Sequence, residues 1–164
     1  MDEQTSHSTH DGVVSVTRRV DAPGDAVWEV LADGWAYATW VVGASRVRDV
    51  DHSWPAEGAR IHHSFGLWPA VISDTTHVER SVPGTELALT ARGWPAGEAK
   101  VVLTITPRDS RSCTVTIEED AVRGPGTLVP RPLRQLLIGP RNVEALRRLA
   151  YLAEGRHRER VAGA

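Results

Sequence analysis

Between residues 60 and 121 the chain is a series of short alternating segments cut by turn chemistry, and this pattern most limits what it can fold into. The cuts fall at Trp68-Pro69, Pro83-Gly84, Pro95-Ala96-Gly97 and Arg108-Asp109-Ser110. Pro and Gly there supply the dihedrals that tight turns need. The pattern predicts strands over 60–67, 71–82, 85–94, 98–106 and 112–121, joined as successive hairpins. Upstream, VVSVTRRV (13–20) has strand composition, and Asp21-Ala22-Pro23 ends it. From Gly24 the spacing of Ala26, Val27, Val30 and Leu31 is helical, with Asp25 suited to the positive end of the helix dipole. A short second helix or turn is expected from Gly34 to Thr39, then a strand over Val41–Val50 and a loop over 51–58.

After the hairpins, a loop holding Gly124-Pro125-Gly126 leads to a long helix. It is expected to begin near Pro132, kink at Gly139-Pro140 and run to about His157. Val143, Leu146, Leu149, Ala150 and Ala153 form its apolar stripe. A sheet with one apolar face and a helix with one apolar stripe bury both by packing together, which gives an α+β layer arrangement. Residues 1–12 are polar and aperiodic and read as a flexible tail, 13–158 as one domain, and 159–164 as a C-terminal tail.

Composition narrows the function classes. The 164 residues suffice for one core, and the net charge of −2 argues against a general nucleic-acid binder. Residues 131–164 carry eight arginines against three acids, a balance met more simply by pairs such as Glu144 with Arg148 than by a nucleic-acid surface. No apolar run is long enough to cross a bilayer, so stable membrane insertion is not expected. The single cysteine, Cys113, leaves no intramolecular disulfide and no multi-cysteine zinc site, and points to a reducing, cytoplasmic setting. His62 and His63 take opposite faces of one strand and cannot share a metal, and no cofactor motif is present, so neither metal nor cofactor is expected.

Several motifs carry a resemblance. Ala22-Pro23 with Val27-Trp28-Glu29-Val30-Leu31-Ala32-Asp33, then Trp40-Val41, and the run Arg141-Asn142-Val143-Glu144-Ala145-Leu146-Arg147-Arg148-Leu149-Ala150 resemble the START/polyketide-cyclase superfamily (SRPBCC), in its bacterial polyketide cyclase/dehydrase and lipid transport branch. The likeness spans about residues 13–155. It implies the helix-grip, Bet v 1-like fold: a curved antiparallel sheet of about seven strands around a long C-terminal helix, with short helices after the first strand. It also implies a deep cavity between sheet and helix. Members include lipid carriers, aromatase/cyclases, hydrolases and sensors, so no shared catalytic set is implied.

Hairpin registers, tested against polarity, say which side chains face that cavity. Phe65 is expected opposite Ile72, Ile61 opposite Thr76, and Val78 opposite Leu89. Ala91 is expected opposite Val101, Leu89 opposite Leu103, Leu103 opposite Val115, and Val101 opposite Ile117. The apolar face so formed is crossed by one row: His63, Asp74, Gly93, Ala99 and Glu119. Three ionisable groups on an apolar surface need partners, water or a ligand. His63 and Asp74 are direct cross-strand neighbours, and Glu119 comes within reach of Arg141 or Asn142.

The candidate ligand contacts are His63, Asp74, Glu119 and Asn142, together with Trp40 from the segment at the open end of the sheet, Phe65, Ile72, Leu89, Ala91 and Val101 from the strands, and Leu146 from the helix. Two function classes follow. One is binding or transport of a hydrophobic small molecule, lipid or polyketide-like, by a monomer or homodimer. The other is a cyclase, aromatase or dehydratase in which His63, Asp74 and Glu119 move protons. A purely structural alternative pairs His63 with Asp74 and Glu119 with Arg141 to satisfy buried polarity.

Overall fold

The computed structural model describes residues 5–10, 13–66, 69, 71–93, 97–128 and 130–163. Its elements run β1 (Thr5–His10), β2 (Val13–Val20), α1 (Gly24–Ala32), a 3-10 turn (Gly34–Ala36), α2 (Tyr37–Trp40), β3 (Ala44–Val50), β4 (Arg60–Phe65), β5 (Ile72–Val82), β6 (Glu86–Gly93), β7 (Gly97–Pro107), β8 (Cys113–Arg123), a second 3-10 turn (Pro125–Leu128) and α3 (Arg131–Ala162). The described strands form one open antiparallel sheet in the order β1-β2-β8-β7-β6-β5-β4-β3. This is the expected α+β helix-grip arrangement, with eight strands where about seven were expected. The pairing of β2 with β8, Val16 opposite Ile117, joins strands a hundred residues apart and sets the long helix across the sheet.

The extra strand comes from the segment read as a flexible tail. Thr5–His10 pairs along β2, from Thr5 opposite Arg18 to His10 opposite Val13. An edge strand is held by backbone hydrogen bonds, so its polar side chains do not prevent it. The other end is also ordered: α3 continues to Ala162, past the expected stop near His157. Its last turns are tied to α1, since Arg156 donates to Asp33 (2.7 Å) and Arg160 to Glu29 (2.8 Å). The helix also runs on through Pro140. Trp68, Pro95 and Ala96, which carry two of the predicted turns, lie outside the described residues.

The core is the apolar face anticipated from alternation. Ile61, Val78, Leu87, Leu89, Leu103, Ile105, Val115 and Ile117 are buried with Ala145, Leu146, Leu149, Ala150 and Ala153 of α3 in one cluster. Trp54 seals one end, its indole N–H donating to the Leu31 carbonyl at 3.0 Å.

Register agrees with expectation across the first two hairpins and departs from it after them. Phe65 faces Ile72, His63 faces Asp74, Ile61 faces Thr76 and Val78 faces Leu89. Across β6–β7, however, Ala91 faces Ala99 and Leu89 faces Val101. Across β7–β8, Val101 faces Glu119 and Leu103 faces Ile117. Each turn is centred one residue away from the position assumed, at 95 instead of 96 and at 110 instead of 109. Facing residues keep a constant sum, so a one-residue move of the centre shifts register by two and leaves every side chain on its face. Gly97, the first residue of β7, lies tight against β8. It takes φ +111°, and a Cβ there would stand 1.8 Å from the Arg123 carbonyl oxygen, so only glycine fits.

Candidate functional site

The register shift breaks the expected polar row. His63 and Asp74 remain side by side on β4 and β5. Glu119 instead faces Val101 on one side and Val14 on the other, and Ala99 sits between Ala91 and Ala121. Glu119 still lies on the concave face, farther along the sheet.

Two residues absent from the expected set join the parts. Tyr37, the first residue of α2, is buried, and its hydroxyl lies 3.0 Å from the Thr76 Oγ1. The same Oγ1 lies 3.0 Å from His63 Nε2, so one hydroxyl links tyrosine and histidine. The Tyr37 and His63 rings are 5.2 Å apart, tilted by 34°, and Trp40 packs edge-on against Tyr37 at 5.6 Å. Tyr37 also lies within the fields of Arg141, Glu119 and Asp74, which places both polar groups around one phenol. Thr76 was legible in part, since alternation puts it on the face of Asp74 and Val78. Tyr37 was not, because no strand register reaches a helix.

The expected His63–Asp74 hydrogen bond does not form. Asp74 instead turns Oδ1 back onto the Thr75 amide, which donates to it at 2.7 Å. Three side-chain atoms of this region are buried without a hydrogen-bond partner among the described residues: His63 Nδ1, Asp74 Oδ2 and Asn142 Nδ2. Their residues are 3%, 8% and 1% exposed. Glu119 is paired, its two carboxylate oxygens accepting from Arg141 Nη2. The structural pairing considered for Glu119 is therefore present, and that for His63 is replaced by the bond to Thr76.

Burial sets the protonation of these groups. It lowers the His63 pKa to about 4, aided by the Arg48 charge and opposed by the Ser64 backbone. It raises Asp74, against the pull of the Thr75 amide and Arg92. It pushes Tyr37 up to about 12. At neutral pH the imidazole and the phenol are both uncharged.

The remaining expected contacts fall into two groups. Trp40, Leu89 and Leu146 are buried in the core. Phe65, Ile72, Ala91 and Val101 are half-buried on the concave side, with the Phe65 ring lying directly over Gly43. On the opposite face His62 pairs with Thr75 (3.2 Å) and His77 with Glu79 (2.7 Å). Among the described residues no three His, Cys, Asp or Glu side chains gather to hold a metal, and no helix is long and apolar enough to cross a membrane.

Solved structures with this arrangement are distant in sequence. The Zhui aromatase/cyclase of Streptomyces sp. R1128 superposes with a TM-score of 0.66 at 18% identity, covering 93% of this chain and 95% of that one. A protein of Chromobacterium violaceum gives 0.67 at 19% identity over 87% and 97%. CalU16 of Micromonospora echinospora gives 0.59 at 17% over 92% and 82%. At such identities the likeness is one of fold. No curated protein matches the chain in sequence. The family model described as "Polyketide cyclase / dehydrase and lipid transport" matches residues 11–154, which takes in strands β2 to β8 and most of α3. With the motifs, the sheet order and the family model in agreement, the chain belongs to the polyketide cyclase/dehydrase and lipid transport family.

Proposed function

We infer that this protein binds a hydrophobic small molecule, lipid or polyketide-like, between the concave face of the sheet and α3, with the polar end of the ligand at His63, Asp74 and Asn142. The observation that carries this reading is the set of three buried, unpartnered polar atoms, two on the concave side of the sheet and one on α3. Each costs free energy unless something bonds to it, and a ligand with an apolar body and a few oxygens satisfies them together.

The protonation states favour binding over turnover. General acid–base catalysis works best with pKa values near the working pH. A histidine near 4 and a tyrosine near 12 are neutral hydrogen-bonding groups at pH 7. Of the three residues considered for a cyclase or dehydratase reaction, Glu119 is committed to Arg141, which leaves His63 and Asp74.

Native mass spectrometry of freshly purified protein tests this. The expected result is a copurifying small molecule of hydrophobic character, displaced by added hydrophobes and lost or weakened in His63→Ala. A protein that emerges free of ligand and takes up none of a panel of lipids and aromatic ketones overturns the reading.

A further inference from the structure

The shared hydroxyl of Thr76 fixes where the protons of the site lie. Its Oγ1 stands 3.0 Å from both the Tyr37 hydroxyl and His63 Nε2, yet it has one proton to give. Its two lone pairs could instead accept from both neighbours, but its own proton would then have no acceptor among the described residues and Nδ1 would be bare. Donation therefore runs in one direction along the chain. In the forward direction Tyr37 donates to Thr76, and Thr76 donates to Nε2. Nε2 is then an acceptor, and the proton of the neutral ring sits on Nδ1. In the reverse direction Nε2–H donates to Thr76, Thr76 donates to Tyr37, and the Tyr37 proton has no acceptor.

Counting unmet groups separates the two. The reverse direction leaves a buried tyrosine O–H and a bare Nδ1 both unsatisfied, since Thr76 is the hydrogen-bond partner of Tyr37 among the described residues. The forward direction leaves one group, an Nδ1–H. Each direction leaves one unmet donor, and the reverse adds an unmet acceptor, so the forward direction is favoured.

We propose that Tyr37 and Thr76 are positioning residues that hold His63 as its Nδ1–H tautomer and so present a hydrogen-bond donor to a carbonyl-type oxygen of the ligand. This rests on the reading of the concave face as a ligand site. Asn142 Nδ2 on α3 is a second buried donor without a partner among the described residues, and Asp74 is the cross-strand neighbour of His63. A pure hydrocarbon would leave both donors unmet, whereas an apolar molecule bearing a ketone or similar oxygen meets them. Low burial-driven basicity keeps the ring neutral at pH 7, so a distinct tautomer exists to be observed.

Long-range proton–nitrogen correlation on ¹⁵N-labelled protein at pH 7 distinguishes protonated from bare ring nitrogens. The chain has seven histidines, and His63→Gln identifies the signal in question. The expected spectrum has His63 protonated at Nδ1 and bare at Nε2. Thr76→Ser should keep that pattern, while Thr76→Val should mix the tautomers. If Thr76→Val does not fold, Tyr37→Phe removes the donor at the head of the chain and should mix them as well. A wild-type ring protonated at Nε2, or an unchanged pattern in a folded variant lacking either hydroxyl, overturns the positioning role.

Ligand preference is read with 2-acetonaphthone and 2-ethylnaphthalene, which differ in shape mainly by the carbonyl oxygen. The ketone is expected to bind about tenfold tighter or better, with a shift of the His63 Nδ1–H signal. Equal affinity overturns the donor role and leaves the hydrophobic site standing. Binding of neither, with the Nδ1–H tautomer present, overturns the ligand site itself and the donor role with it.

Discussion

Arg141 on the C-terminal helix closes on both carboxylate oxygens of Glu119 on the last strand, 22 residues earlier in the chain. The carboxylate is 4% exposed and the guanidinium 35%, so the pair reaches from the interior to the surface and ties helix to sheet. It also removes Glu119 from the groups free to meet a ligand, which leaves His63, Asp74 and Asn142.

Removing one partner should cost more than removing both. Arg141→Met strands a buried carboxylate, and a loss of about 2–4 kcal/mol is expected, the range for broken buried pairs reduced for the exposed guanidinium. Glu119→Leu combined with Arg141→Met should recover most of it, because two apolar side chains replace two charges. Urea unfolding of the single and double variants measures this. A loss below about 1 kcal/mol in Arg141→Met would mark the pair as an ordinary surface ion pair.

His63 makes the fold acid-sensitive. Its folded pKa, about 4, lies below the ordinary value of 6.5, so the unfolded chain binds the proton first as pH falls. Stability should be flat above pH 6.5 and should fall between 6.5 and 4, by up to about 1.4 kcal/mol per pH unit. Asp74 works the other way. Its raised pKa means the folded state takes up its proton first, which offsets part of the loss at the acid end. His63→Gln should flatten the slope between pH 6.5 and 5. An identical slope in that variant would assign the acid sensitivity to other groups.

Cys113 should be inert while the protein is folded. It is fully buried, and burial together with the negative charge of Glu154 raises its pKa to about 11. The thiolate is the reactive form, so at pH 8 Ellman's reagent should label it only as fast as the protein opens. Rapid stoichiometric labelling of native protein would contradict this.

The first turns and the centre of α3 should respond differently to truncation of leucine. Leu149 is fully buried in the core, and Leu149→Ala should cost about 2–5 kcal/mol. Leu136, in the same helix, is 69% exposed, and Leu136→Ala should change stability by no more than about 0.5 kcal/mol. Thermal or urea unfolding compares them directly. Similar losses at both positions would mean that the first turns of α3 pack as tightly as its centre.

Much of the fold was readable from local chemistry. Alternation over 60–121 assigned faces correctly for Ile61, Val78, Leu89, Leu103, Val115 and Ile117, because a register error of two residues leaves side-chain direction unchanged. Helical spacing likewise identified Leu146, Leu149, Ala150 and Ala153 as the buried stripe of α3. What failed was the tail. Thr5–His10 has no apolar period, and its pairing depends on an open edge of β2 that exists only once the sheet is built.

By itself the sequence determined the layers, the buried stripe and the neighbouring of His63 and Asp74, since each depends on periodicity or on one hairpin. Only the tertiary structure decided what those groups do. The centre of each turn moved Glu119 away from them, and the packing of α2 brought Tyr37 onto Thr76 and His63. Such contacts join elements far apart in the chain, and their geometry is set by how helices seat on a finished sheet, which no local pattern encodes.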